Sequence, residues 1–198
     1  MKYKTIAHSV VVEQNIKKSI FIGSVNSVQS TNEAKQFIEE IKVKYKDANH
    51  NAYAFRVGLV NEEVLYSDDG EPSKTAGLPI YNAIRSSEVR NVVVVITRYF
   101  GGTKLGVPGL IGAYGETAKF AIESASIVEK VSKKTFFVKI PFSEMQFVNY
   151  NVNKFDGSVI KRTFGVDVEM TVEIDEDAFD CLKNSLLNYK HSIVLREE

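Results

Sequence analysis

The chain has 198 residues, enough for two small domains that each bury a core. Its 25 Lys and Arg balance 25 Asp and Glu, which argues against tight binding of bulk nucleic acid but leaves room for a local basic patch. The single cysteine, Cys181, excludes an intramolecular disulfide, and the longest apolar run, Val92–Ile96, is far too short to cross a bilayer. The expectation is a cytoplasmic protein with neither a membrane nor a disulfide partner.

In chain order, Tyr3–Glu13 and Ser19–Val28 are rich in β-branched residues and predict a hairpin turning at Glu13–Lys18. Ser30 and Glu33 form a capping box that opens a helix striped by Ala34, Phe37, Ile38, Ile41 and Tyr45. His50–Val60 and Val64–Ser67 read as strands around an Asn61–Glu63 turn. The polar loop Ser67–Thr75 leads to a short helix through Leu78–Ser86, with Thr75 as a plausible cap. Asn91–Arg98 is a near-continuous apolar strand of the kind buried on both faces. After a glycine-rich turn comes a helix with Leu110, Ala113, Tyr114, Thr117, Ala118, Ala121, Ile122 and Ala125 on one face.

A charged stretch at Ser126–Lys134 marks a boundary, giving expected domains of residues 1–130 and 131–198. Beyond it come strand Lys134–Ile140 and a helix capped by Ser143 and Gln146, with Met145, Val148, Val152 and Phe155 as its stripe. Strands Ser158–Phe164 and Asp167–Ile174 follow, then a helix carrying Phe179, Leu182, Leu186 and Tyr189, and a final strand Ser192–Arg196. That order is βαββαβ, ferredoxin-like, and the fold class of the whole chain is α+β. Cys181, next to Leu182 in this last helix, reads as a small packing residue; His8 and His191 have no supporting neighbours.

Three segments have the composition of a site. In Thr97–Leu110, the residues Arg98, Tyr99, Phe100, Gly101, Gly102, Lys104 and Gly106 run from a buried strand into a helix start. Glycines there permit positive φ and close backbone approach, and a helix start offers free N–H groups to an anion. The segment is therefore either a tight turn or an anion site; it matches neither the P-loop nor the dinucleotide pattern. In Ser67–Gly77, Asp68, Asp69, Gly70 and Glu71 are good turn chemistry, and their carboxylates could also hold a divalent cation or act as base. The calcium-loop spacing is absent. The third segment, Asp47–Tyr53, contains His50 and Asn51; His50 beside the acidic loop would make a base–carboxylate pair. No spacing points to zinc, no nucleophile elbow is present, and no catalytic, metal or cofactor residue is assigned.

Together these segments resemble the IMPACT family, with its bacterial YigZ-type members. The resemblance rests on His50-Asn51 with Tyr53-Ala54, on Ser67-Asp68-Asp69-Gly70-Glu71-Pro72 with Thr75-Ala76-Gly77 and Pro79, and on Arg98-Tyr99-Phe100-Gly101-Gly102 with Leu105-Gly106, Gly109-Leu110 and Ala113-Tyr114. Lys74 and Pro108 depart from it, standing where the family usually has glycine. The resemblance implies a first domain like the ribosomal-protein domain 2-type fold and a second like the last domain of elongation factor G. It also implies a translation-linked role with no established catalysis. The partner expected is the ribosome, structured RNA or a translation-associated protein. The alternative is a phosphate- or nucleotide-dependent enzyme that uses the glycine-rich and acidic loops, with His50 as base.

Overall fold

The computed structural model describes residues 1–188 and 193–197. Tyr189, His191 and Ser192, all named from the sequence, lie outside the described residues. The chain divides into two compact units, Tyr3–Lys130 and Val131–Glu198 with Met1–Lys2.

The first unit begins with β1 (Lys2–Ile6), β2 (Val10–Ile16), β3 (Ser19–Ser27) and α1 (Thr31–Lys44). It continues through β4 (His50–Val57), β5 (Glu63–Ser67), α2 (Gly77–Ser86), β6 (Val92–Tyr99), α3 (Gly106–Ser124) and β7 (Ile127–Val131). Five strands form an antiparallel sheet in the order β2-β3-β6-β4-β5. The apolar run of β6 takes the centre because both of its faces are covered. Val92, Val94 and Ile96 pack beneath α2 and α3, whereas Val93 and Val95 pack with Ala34, Ile38 and Ile41 of α1. The β2–β3 hairpin turns on Lys17 and Lys18, both left-handed (φ 46° and 70°), a twist that suits a two-residue turn.

The expected strand Tyr3–Glu13 is really two. It breaks at Ala7–Ser9, and β1 leaves the main sheet to pair with β7, a strand inside the charged stretch Ser126–Lys134. The capping box of α1 is present: Ser30 Oγ accepts from Glu33 N–H at 3.2 Å, and the Glu33 carboxylate accepts from Gln29 N–H at 2.9 Å. Thr75 does not cap α2. Its hydroxyl donates to Pro72 O, and Asp68 takes the capping role from eight and nine residues away.

The second unit contains β8 (Lys133–Ile140), a single 3₁₀ turn (Phe142–Glu144), α4 (Met145–Lys154), β9 (Ser158–Phe164), β10 (Val168–Asp175), α5 (Glu176–Leu187) and β11 (Val194–Glu197). The connectivity is βαββαβ, and the antiparallel strand order is β11-β8-β10-β9. Both helices pack on one face, where Phe136, Val138, Ile140, Met170, Val172 and Ile174 meet Val148, Val152, Phe179, Leu182 and Leu186. Ser143 does not cap α4, because the intervening 3₁₀ turn displaces it from the helix start. Cys181 is exposed: one position off the buried stripe is enough on a helix to turn a side chain to solvent. No helix among the described residues is long and apolar enough to cross a membrane.

Candidate functional site

The three sequence segments meet at one end of the five-stranded sheet. His50 starts β4 and pairs across the ladder with Arg98 near the end of β6, while the loop after β5 brings Glu71 alongside. Together with the start of α3 they enclose a cleft of about 440 Å³, lined by Asn49, His50, Glu71, Pro72, Arg98, Phe100, Lys104, Leu105, Gly106, Val107 and Leu110.

A buried ion pair lies at the base of this cleft. Arg98 Nη1 is 2.6 Å from Glu71 Oε1, with the two side chains only 7% and 3% exposed. Tyr114, on the buried face of α3, donates its hydroxyl to the same carboxylate oxygen at 2.8 Å. Burial first, and then the neighbouring Glu71 charge, push the Tyr114 phenol far above its ordinary range, so it stays protonated and keeps donating. The rings of Phe21 and Phe100 lie over the guanidinium, each centroid 5.5 Å from Cζ. Arg98 therefore reaches the cleft as half of a neutral pair.

His50 stands above this pair. Its Nδ1 lies 2.9 Å from the carbonyl oxygen of Asp69, which can only accept, so Nδ1 carries the proton. In the neutral ring Nε2 is left with a free lone pair, 3.9 Å from Glu71 Oε1. Gly70, at φ 88°, passes so close that an added Cβ would sit 3.3 Å from this ring.

The acidic loop is mostly occupied with building itself. Asp68 accepts from the N–H groups of Lys74, Ala76 and Gly77 at 2.8 to 2.9 Å and so holds the loop against the start of α2. Burial alone would raise its pKa; the backbone donors of Lys74, Ala76, Gly77 and Thr75 outweigh that and hold it below the ordinary value. Asp69 accepts from Asn51 N–H at 2.7 Å and pairs with Lys42 at 3.4 Å. The Asn51 side chain is buried, accepting from the Thr97 hydroxyl and donating to Tyr45 O. Of the three carboxylates only Glu71 lines the cleft, and no group of three potential metal ligands occurs among the described residues.

In the glycine-rich segment different glycines serve different needs. A Cβ on Gly101 would lie 1.8 Å from Lys18 O, so this glycine permits backbone-to-backbone packing against the β2–β3 turn. Gly102 and Gly106 have open space around them but φ of 83° and 73°, which side chains disfavour. Tyr99 points to Asp47 (2.9 Å) and does not line the cleft; Phe100 forms part of its wall. The helix start that follows has no side-chain cap, so the first N–H groups of α3 have no side-chain acceptor. Lys104, exposed at the rim, makes no ion pair among the described residues. Pro108 removes one donor from the first turn. Lys74, the other departure, is held at φ 65°, a left-handed conformation that glycine adopts without strain.

Tyr114, a residue of the helix stripe and of the family motif but not among the expected site residues, belongs to the site. Its signal was a phenol hydroxyl within a mostly apolar stripe, which requires a buried partner.

The model of the Impact N-terminal domain matches residues 17–122. The chain belongs to the IMPACT family. It is 30% identical over 189 residues to the IMPACT family member YvyE of Bacillus subtilis, covering 94% of this chain and 85% of that protein. An IMPACT family member of Haemophilus influenzae is 28% identical, covering 93% and 91%. A crystal structure of a hypothetical protein superposes over 100% of this chain and 97% of its own, with a TM-score of 0.74 and 26% identity.

Proposed function

We propose that this IMPACT-family chain is a cytoplasmic, translation-associated regulatory protein, and that the cleft above the Arg98–Glu71 pair is where it engages its partner. The observation that carries this reading is the set of groups left free in the cleft. Arg98, Asp68 and Asp69 are already engaged within the protein. Lys104, the uncapped start of α3 and the ring of Phe100 remain. These suit a phosphate-bearing partner contacted by one cation and backbone donors, with an aromatic wall beside it. The partner class is a ribosome or a structured RNA bound at a defined place, consistent with a chain whose net charge is zero.

The competing enzymatic reading needs the acidic loop to hold Mg²⁺. The engagement of Asp68 by backbone donors and of Asp69 by Asn51 and Lys42 weighs against it. The reading also takes the chain as a YigZ-type bacterial member with domains of residues 1–130 and 131–198. Its first domain is of the ribosomal-protein domain 2 type; its second is ferredoxin-like, akin to the last domain of elongation factor G. Titrating the protein with purified ribosomes and with nucleotides, each with and without Mg²⁺, separates the two readings. Ribosome association without nucleotide binding supports the proposal. Mg²⁺-dependent nucleotide binding without ribosome association refutes it.

A further inference from the structure

The helices of the second unit cover only one face of its sheet. Side chains alternate along β8, so Phe136, Val138 and Ile140 enter the core while Lys133, Thr135, Phe137 and Lys139 turn the other way. Phe137 is 42% exposed, although β8 is an interior strand of the sheet. The register says what surrounds it. Arg196 of β11 and Thr171 of β10 are directly opposite Phe137, and Lys161 of β9 is opposite Thr171. One row across the open face therefore reads Arg196, Phe137, Thr171, Lys161.

The two cations of this row are exposed and make no ion pair or hydrogen bond among the described residues. In the row on one side Lys139 lies 3.6 Å from Glu169 and 3.7 Å from Asp167, and in the row on the other side Glu173 stands opposite Thr135, so no carboxylate stands within the row itself. Beside Phe137 a hollow of about 430 Å³ is lined by Lys139, Glu169, Val194 and Arg196. An exposed ring with one unpaired cation beside it and a second one strand beyond Thr171 is poor surface for an apolar partner. It fits a chain of planar groups joined by anions.

We propose that this open face binds a single-stranded RNA segment, with a base stacked on Phe137 and the flanking phosphates against Arg196 and Lys161. The Thr171 hydroxyl, next in the row, is placed to meet a ribose or base edge. This deepens the translation-linked reading by naming a partner class, and it rests on that reading. It uses a surface of the other unit, so the two can fail separately.

The test is fluorescence anisotropy of a short labelled oligouridylate titrated with the full chain. Wild type should bind, with affinity falling on added salt at a slope of about 1.4 for two phosphate contacts. Phe137→Leu keeps an apolar side chain but loses the ring and should weaken binding by about tenfold. Phe137→Tyr should retain it, and Arg196→Ala should lower the salt slope by about 0.7. Lys119→Ala, on the solvent side of α3 in the other unit, should leave oligouridylate binding unchanged. The proposal is overturned if wild type does not bind at low salt, which would leave this face to a partner other than RNA. It is also overturned if Phe137→Leu binds like wild type. Loss of binding in Lys104→Ala with none in Phe137→Leu would assign the RNA to the cleft, overturning this proposal and sparing the cleft reading.

Discussion

Glu71→Gln removes one charge from the base of the cleft while keeping the shape of the side chain. Both partners are nearly buried, and their 2.6 Å contact is the main compensation for taking the Arg98 guanidinium out of water. Removing one member of such a pair typically costs about 3–5 kcal/mol, most of it the penalty for the charge left behind. Two features place the expected loss at the lower end, about 3 kcal/mol. Glutamine still offers a carbonyl to the Tyr114 hydroxyl, and the rings of Phe21 and Phe100 still cover the cation. Arg98→Met should also destabilise, by leaving Glu71 with Tyr114 as its remaining short partner. The double variant removes both charges and should return to within about 2 kcal/mol of wild type, so the two effects should be strongly non-additive. Urea unfolding of the four proteins, with amide exchange in β6 as a local probe, measures this cycle. A loss below about 1 kcal/mol for Glu71→Gln, or simple additivity in the double variant, would refute the claim that this pair is a mutually dependent buried unit.

The two adjacent glycines should behave differently. Gly101→Ala drives Cβ into Lys18 O and should cost about 3 kcal/mol or more, whereas Gly102→Ala meets only backbone strain, about 1 kcal/mol; paired thermal melts would show the contrast. Lys74→Gly relieves a left-handed lysine and should raise stability by up to about 1 kcal/mol, with no change in the cleft. Asp68 has a folded pKa below its unfolded one, so its contribution is complete above about pH 4 and fades as pH falls through the lower folded value. The stability gap between wild type and Asp68→Ala should therefore be widest near neutrality and close in acid, read from urea midpoints across pH.

Much of the scaffold was legible because period and burial agree. The alternation of β8 and the stripes of α1, α3 and α5 predict both element type and inward face. What stayed hidden depends on long-range partners. The pairing of β1 with β7 joins the two ends of the first unit, and neither strand has an apolar run to announce it. The role of Asp68 as a distant cap could not be told from ordinary turn chemistry, nor could Thr75 be excluded as the cap. In the site, composition identified His50, Glu71, Arg98 and Lys104 as candidates. It could not reveal that Arg98 is neutralised by Glu71, since ion pairing between a strand end and a loop distant in sequence follows from the folded chain alone.

The most direct test of the proposed function is co-sedimentation of the purified protein with ribosomes, comparing wild type with Lys104→Glu. Lys104→Glu reverses a rim cation of the cleft, and Lys119→Ala on the solvent side of α3 serves as the control. The account predicts that wild type and Lys119→Ala sediment alike, that added salt weakens both, and that Lys104→Glu stays mostly in the supernatant. Undiminished sedimentation of Lys104→Glu would contradict it.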